Sequence, residues 1–373
     1  MSRTAAQATA LLTIDLNALR ANYSHLKQRA TPAECAAVVK ADAYGIGLEQ
    51  AVAALTKEGC KTFFVATLAE ATRLRTVNSE AVVYVLDGLF PETAPLFVDS
   101  DVRPVLNSLD EIEEWSRFCV SSGTPREAAV HIDSGMNRLG LGAEEVAALS
   151  GKTVLLDSFK LSLVMSHLAC ADAPVDRKNT EQFNHFQSMR ERFNETPACF
   201  ANSAGIFLGG AYRFDMVRAG ISLYGGNAIL DQPEPMKPVV RLDGRIAQIR
   251  STKPGETIGY GAAQSFRRAS RIATVTLGYA DGFMRLLGAS DTQKGATAYI
   301  DDYPAPLLGR VSMDLITIDV TDIPEELVKR GGFVELIGPH VTVDDLATQA
   351  QTIGYEILTS LGRRYQRVYL GED

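Results

Sequence analysis

The sequence predicts an α/β protein in two parts, an N-terminal (β/α)8 barrel of the TIM type followed by a mainly antiparallel β domain. Three observations carry that prediction. Eight short apolar runs of strand length fall between residues 35 and 221, and continuous apolar runs bounded by turn signals are the mark of parallel strands buried on both faces. Most are separated by stretches with apolar residues at helical spacing, the alternation expected of parallel strands joined by helical crossovers. Beyond the polar, proline-rich stretch Asp231-Gln232-Pro233-Glu234-Pro235-Met236-Lys237-Pro238 the texture changes to short, β-branched, turn-bounded segments.

After a loose N-terminus, Asp15 is placed to cap a helix in which Leu16, Leu19, Tyr23 and Leu26 recur at helical spacing up to about residue 29. The strand-like runs follow at 35–40, 62–67, 82–87, 102–107, 128–133, 161–167, 199–203 and 216–221. Helical patterns between them include 48–57, 68–77, 108–119 and 177–193. Eight such strands close most simply into a barrel; a doubly wound open sheet is the alternative, and it would lack a glycine-rich dinucleotide turn after its first strand. The stretch 231–238 reads as a linker. Segments at 245–249, 272–277, 298–300, 315–320 and 333–337 then form an antiparallel β domain. The expected division is a barrel at 1–234 and a β domain at 235–373.

Barrel enzymes keep their chemistry at the C-terminal ends of the strands. Lys40, His167, Asn202, Ser203 and Arg218 all fall at such ends. A lysine at the mouth of an apolar strand is poorly hydrated, which lowers its pKa and frees a neutral amine to form a Schiff base or abstract a proton. It could equally lay its stem on apolar surface and keep its head in water. The following Tyr44, Gly45 and Gly47 favour the chemical reading, because a hydroxyl donor and glycines that let the backbone approach closely suit a phosphate-bearing cofactor. Singly, His167 reads as a hydrogen-bonded core histidine, Ser203 as a helix N-cap and Arg218 as an ion-pair partner; their gathering on one rim favours a site.

Composition narrows the partners. The 373 residues are 46% apolar and 22% charged, with a net charge of -8, and no basic cluster suggests a nucleic acid or an anionic membrane as partner. No apolar run is long enough to span a bilayer, and the N-terminal Ala-Leu-Leu patch is too short for a signal-peptide core. The five cysteines, Cys35, Cys60, Cys119, Cys170 and Cys199, are odd in number and never in CxxC spacing, which fits reduced thiols and a cytoplasmic protein. The five histidines show no metal-ligand spacing.

Several separated motifs together resemble one family. They are Val38-Val39-Lys40-Ala41-Asp42-Ala43-Tyr44-Gly45, Asp133-Ser134-Gly135-Met136-Asn137-Arg138-Leu139-Gly140, Ser166-His167 and Asn202-Ser203. The series continues with Val217-Arg218-Ala219-Gly220-Ile221-Ser222-Leu223-Tyr224-Gly225, Gly259-Tyr260-Gly261, Gly278-Tyr279-Ala280-Asp281-Gly282 and Ser312-Met313-Asp314. In number and order, from about Leu12 to the C-terminus, they resemble the bacterial alanine racemases, pyridoxal-phosphate (PLP) enzymes of barrel-plus-β-domain architecture.

The resemblance implies roles. Lys40 would hold PLP covalently and serve as one of two bases, with Tyr260 as the other, on the opposite face of the substrate's α-carbon. In the family that tyrosine reaches the site from a partner subunit, which implies a homodimer with composite sites. A bare phenol has a pKa near 10, so His167, which also touches Arg218, would help it act as a base. Arg218 would face the pyridine nitrogen and, unable to accept a proton, would leave that nitrogen unprotonated and restrain side reactions. Tyr44, Asn202, Ser203, Gly220 and Ile221 complete the cofactor-binding set. Arg138 and the backbone amide of Met313 would bind the substrate carboxylate, and Asp172, Tyr279, Arg285, Arg310 and Asp314 would line an access corridor.

Two positions depart from the family. Where many members carry a lysine that is carbamylated and holds the substrate-binding arginine, this chain has His131, leaving either a neutral His131 accepting from Arg138 or an anion in the space. The aligned position of a phosphate-contacting tyrosine is Arg363, with Tyr365 a nearby substitute. The reading is an alanine racemase supplying or consuming D-alanine, for peptidoglycan or as a carbon source. Its rivals are a racemase of broader specificity that includes serine, which His131 keeps open, a non-catalytic PLP-binding barrel and a PLP decarboxylase. The residues after Pro238, with Tyr260 and Met313, count against the non-catalytic barrel. Arg218, where an acid would stand, counts against the decarboxylase.

Overall fold

The computed structural model describes residues 8–150, 153–193, 195–229, 232, 233 and 235–372. The expected loose N-terminus at 1–7, and Asp231 and Glu234 of the expected linker, lie outside the described residues.

Eight parallel strands close into a barrel: β2 (Glu34–Val38), β3 (Thr62–Val65), β4 (Val82–Val85), β5 (Arg103–Leu106), β6 (Glu127–His131), β7 (Lys160–Met165), β8 (Ala198–Cys199) and β9 (Met216–Ala219). Closure is made by β9 pairing with β2, with Glu34 opposite Met216 and Ala37 opposite Ala219. The strands are buried on both faces, as in Val83, Tyr84 and Val85 of β4, which is why their sequences read as unbroken apolar runs. They are shorter than the runs that predicted them. Lys40 and His167 therefore stand just beyond β2 and β7, while Arg218 lies within β9.

Side-chain caps start the crossover helices where polar residues precede the apolar periodicity. Thr67 makes a reciprocal capping box with Glu70 at the head of α3 (Leu68–Val77), which follows α2 (Leu48–Lys57). Ser108 caps the later helix Leu109–Ser122 and Asp176 caps Arg177–Arg190. Asp15 accepts from the amides of Asn17 and Ala18 at the start of α1 (Leu16–Ala30), as its sequence predicted.

The second domain is built on one eight-stranded sheet ordered β13-β16-β15-β14-β17-β10-β1-β18. These strands are β1 (Ala10–Asp15), β10 (Val240–Thr252), β13 (Ser270–Val275), β14 (Thr297–Ile300), β15 (Tyr303–Leu308), β16 (Ile316–Asp319), β17 (Phe333–Ile337) and β18 (Gln366–Leu370). A small pair, β11 (Thr257–Ile258) and β12 (Gln264–Ser265), stands apart. The long β10 pairs with β17 and β1 along its first half and with β13 along its second, so the sheet curls back on itself.

The sheet does not follow the expected division at residue 234. β1 runs antiparallel to β10 and parallel to β18, so residues 10–15 belong to the second domain's sheet although they precede the barrel. Six residues with alternating burial were too short a signal, directly before a helix, to reveal a partner more than 220 residues away. One apolar core runs through both domains, from Leu12 and Leu19 through Val83 and Ile132 to Leu336 and Leu358. The C-terminal helix Gly354–Thr359 and β18 thereby lie against the turn that carries Lys40.

Candidate active site

The C-terminal ends of the barrel strands surround a cavity of ≈ 610 Å³. Lys40, Tyr44, Arg138, His167, Asn202, Ser203, Arg218, Gly220 and Ile221 all line it. Asp87, His131 and Tyr355 join them.

Lys40 is followed by an unusual turn. Ala41, Asp42, Ala43 and Tyr44 have φ of 53°, 57°, 53° and 53°, one left-handed turn built from residues with side chains. Each such residue costs roughly 1–2 kcal/mol, so neighbours must hold the turn in place. Glu70 does so from the head of α3, accepting from the Ala41 amide at 2.7 Å and the Ala66 amide at 2.9 Å. Asp42 accepts from Arg73 at 2.8 Å and from the Leu48 amide at 3.2 Å. From the second domain, Arg367 donates to the Gly45 carbonyl at 2.6 Å and the Tyr369 hydroxyl to the Ile46 carbonyl at 2.8 Å. Gly45 closes the turn at φ 84°, where a Cβ would lie 2.2 Å from the Leu358 carbonyl oxygen; only glycine fits. Burial, then the charges of Arg138 and Arg218, lower the Lys40 pKa against the opposing pull of Asp87 and Glu70. A readily neutral amine is the state needed of a nucleophile or base.

Arg218 is 3% exposed and its hydrogen bonds set the polarity of the cavity floor. Nη1 donates to Cys199 Sγ at 3.0 Å and to the Cys199 carbonyl at 3.4 Å, and Nη2 donates to the Ser166 carbonyl at 2.8 Å. Nη2 also bonds His167 Nδ1 at 3.1 Å. A guanidinium only donates, so Nδ1 accepts and a neutral His167 carries its proton on Nε2. Burial and the Arg218 charge hold the His167 pKa well below the usual range, so it is neutral. Among the described residues, the Nε–H of Arg218 has no partner.

His131 sits at the end of β6 with Nδ1 2.8 Å from Asn107 Oδ1. The Asn107 amide nitrogen donates to the Val105 carbonyl at 2.9 Å and the Leu86 carbonyl at 3.3 Å, which points Oδ1 at the histidine and places the imidazole proton on Nδ1. Burial and then the Arg218 charge lower the His131 pKa to about 4. Nε2 is left as an acceptor, although no hydrogen bond to Arg138 forms within the chain. Behind these loops, the fully buried Gln182 accepts from the Ala169 amide and donates to the His167 carbonyl, each within 2.9 Å. Neither Asn107 nor Gln182 was legible as a site residue: nothing in a lone amide says which loop it will fasten.

At the other side of the cavity, Ser203 Oγ accepts from the Gly220 amide at 2.8 Å and the Ser222 amide at 3.4 Å. Ser203 is not a helix cap; Asn202 is, through its bond from the Gly205 amide at 2.9 Å. A Cβ on Gly220 would lie 2.7 Å from the Tyr44 hydroxyl. Among the described residues, the buried Ser222 hydroxyl has no hydrogen-bond partner. Tyr44 is clamped by stacking on Tyr224 at 4.5 Å, and the Tyr224 hydroxyl bonds the Val38 carbonyl at 2.8 Å.

Neither Arg363 nor Tyr365 lines the cavity. Tyr365 is buried against Leu242, Phe283 and Leu361, its hydroxyl without a partner among the described residues, and the adjacent Arg364 pairs with Asp281 and Asp314. The tyrosine that does reach the site is Tyr355, with its ring 6.0 Å from that of Tyr44. The signal was present: Tyr355 and Thr359, which also lines the cavity, are four apart on one helical face, with Ile357 and Leu358 buried on the other.

Tyr260 and Met313 do not meet Lys40 within the chain. They lie on the second domain, 71% and 53% exposed. Glycines at φ 71° and 75° flank Tyr260, and a Cβ on Gly261 would lie 2.9 Å from Arg310 Nη1. The Tyr279 and Ala280 amides bond the Ser312 and Met313 carbonyls at 3.0 Å. These contacts join Tyr260, Arg310, Met313 and Tyr279 into one outward patch.

Two family models match the chain, the alanine racemase N-terminal domain over residues 14–228 and the alanine racemase C-terminal domain over 239–369. An alanine racemase of Methylobacterium sp. (strain 4-46) is 48% identical over 361 residues, covering 97% of this chain and 98% of that one. Among solved structures, the alanine racemase of Bartonella henselae with covalently bound pyridoxal phosphate superposes with a TM-score of 0.93 at 38% identity, covering 97% of this chain and 100% of that one. The biosynthetic alanine racemase of Pseudomonas aeruginosa gives 0.89 at 31%, covering 98% and 100%.

Proposed function

The chain belongs to the alanine racemase family: it is a pyridoxal-phosphate-dependent isomerase that interconverts L- and D-alanine, and we propose how its own residues divide that reaction. The cavity fits the cofactor on its own geometry. The Tyr44 hydroxyl, the Ser203 hydroxyl and the side of Gly220 that a Cβ would fill converge on one place, as a phosphate requires. Lys40 and Arg218 stand elsewhere on the same wall. When bound, PLP supplies the electron sink that makes the α-proton of an amino acid removable.

Lys40 would hold the cofactor and serve as the base on one face of the substrate; its lowered pKa supports both uses. Tyr44, Ser203, Gly220, Ile221 and Tyr355 would hold the phosphate. Asn202 fastens the loop that presents Ser203. Arg218 would stand at the cofactor's ring nitrogen and, being unable to accept a proton, would leave that nitrogen unprotonated. Arg138, whose side chain has no partner among the described residues, receives the substrate carboxylate with the Met313 amide.

Tyr260 is the base on the opposite face and reaches the cavity of a second copy, so the working unit is a homodimer with composite sites. The exposed Tyr260, Met313 and Tyr279 on one patch support this, since large exposed side chains gathered together mark interaction surfaces. Five unpaired cysteines support a cytoplasmic setting. No helix among the described residues is long and apolar enough to cross a membrane.

The observation that carries the reading is one cavity holding a lysine of lowered pKa beside a neutral histidine locked by a buried arginine. Proton NMR of L-alanine in D2O with the PLP-loaded protein, followed by chiral analysis, tests it. Loss of the α-proton signal with appearance of D-alanine is expected; retained α-protons would refute it.

A further inference from the structure

The charged groups that line the cavity are unbalanced. Arg138 and Arg218 contribute fixed cations, and among the described residues Asp87 is the one carboxylate on the wall. An α-amino acid arrives as a zwitterion, so a cavity that receives it has an ammonium as well as a carboxylate to satisfy.

Asp87 is built into place. Its amide donates to the Ala66 carbonyl at 3.0 Å, extending the β3–β4 ladder past the end of β4. The next residue, Gly88, has φ 83°, and a Cβ there would collide with the side chains of Glu111 and Asn107. The Leu89 amide then donates to Glu111 Oε2 at 3.1 Å. The backbone is thus fastened on both sides, yet the Asp87 carboxylate makes no hydrogen bond or ion pair among the described residues. The nearby acids differ: Glu70 holds the Ala41 amide, Asp42 holds Arg73, and Glu111 holds the Leu89 and Asn107 amides. Asp87 and Lys40 line the same cavity, and each favours the charged form of the other.

We propose that Asp87 is the ammonium subsite of this cavity, receiving the amino group of the incoming amino acid beside Lys40 while Arg138 receives its carboxylate. The inference rests on the racemase reading above. Asp87 is a docking residue: it brings the substrate nitrogen to the lysine and favours zwitterions over plain carboxylates. Because the side chain is largely exposed, its attraction is moderate and screened by salt.

The test compares wild-type holoenzyme with Asp87→Asn and Asp87→Glu. With Asp87→Asn, KM for both alanine enantiomers should rise roughly two- to fivefold, kcat should stay within about twofold, and KM should become less dependent on ionic strength. Binding of propionate to the holoenzyme, followed by calorimetry, should hold or tighten, because propionate lacks the amino group that Asp87 attracts. Asp87→Glu should restore most of the KM and serves alone if the amide variant does not fold. Unchanged KM in Asp87→Asn, or equal weakening of alanine and propionate, would overturn the proposal. A wild type that binds propionate but leaves alanine unracemised would overturn the premise and the proposal together, and is distinguished before any variant is compared.

Discussion

Acidification should unfold this protein in part through its buried histidines, and His131 isolates the effect. In the native state its Nδ1–H is held by Asn107 and its pKa lies at about 4, against an ordinary value of 6.5. A depressed histidine costs nothing above pH 6.5. As pH falls through 6.5, the unfolded chain takes up a proton that the native chain refuses, and stability is lost until the pH reaches the native pKa. At about pH 5.5, one unit below the unfolded value and well above the native one, the loss is 1.36 × log10(1 + 10), or about 1.4 kcal/mol. The native value hardly enters at that pH, so the figure rests mainly on His131 remaining neutral. His131→Asn keeps an amide donor for Asn107 and cannot titrate. Thermal unfolding of wild type and variant at about pH 8 and about pH 5.5, in the same cofactor state, reads the difference. Carboxylates common to both cancel. The wild type should lose about 2 °C more than the variant over that interval. Equal pH dependence in the two proteins would refute the neutral, Asn107-locked histidine.

Other perturbations address the cofactor pocket and the second base. Gly220→Ala places a methyl 2.7 Å from the Tyr44 hydroxyl, and PLP titration of the apoprotein should show at least about tenfold weaker binding, about 1.4 kcal/mol, with the fold retained. Ala43→Val forces a β-branched residue to φ 53° at a fully buried position; the melting temperature should fall by an amount corresponding to about 2 kcal/mol or more. Tyr260→Phe should suppress α-proton exchange from one alanine enantiomer far more than from the other in D2O, and equal loss would remove the two-base assignment. Mixing Lys40→Ala with Tyr260→Phe chains under subunit exchange should restore about a quarter of wild-type activity, since random pairing yields about half heterodimers, each with one intact site; no recovery would contradict composite sites.

The barrel was legible because both faces of its strands are buried, so strands such as Val82–Val85 appear as solid apolar runs. Lys40, His167 and Arg218 were legible for the same reason, since polar residues that end such runs fall on the catalytic rim. Pairing across sequence was not legible. The position of β1 depends on β10 and β18, and nothing local in Ala10–Asp15 encodes either partner. The Tyr355 position was missed for a related reason. It reaches the cavity because its helix packs on the Lys40 turn, where Gly45 meets the Leu358 carbonyl, whereas linear alignment drew attention to Arg363 and Tyr365. The left-handed turn was hidden as well: Ala, Asp and Ala carry no preference for positive φ strong enough to announce it, and Glu70 and Asp42 hold it from outside.

Hydrogen-bond direction settles what the pKa of a free phenol leaves open. Arg218 can only donate, so His167 must accept on Nδ1, and a neutral His167 must then donate from Nε2. Cys199 Sγ and the Ser166 and Cys199 carbonyls bind the remaining η hydrogens, so the guanidinium cannot reverse that order by turning. Whatever meets Nε2 is required to accept. If the proposed dimer brings Tyr260 of a second copy to that nitrogen, a phenolate satisfies the requirement with full charge and a phenol only with a lone pair. A donor aimed at the oxygen therefore favours the basic form. The two bases would then be prepared by different means: Lys40 through loss of hydration and neighbouring positive charge, and Tyr260 through a hydrogen bond whose direction is set by a buried arginine two groups away.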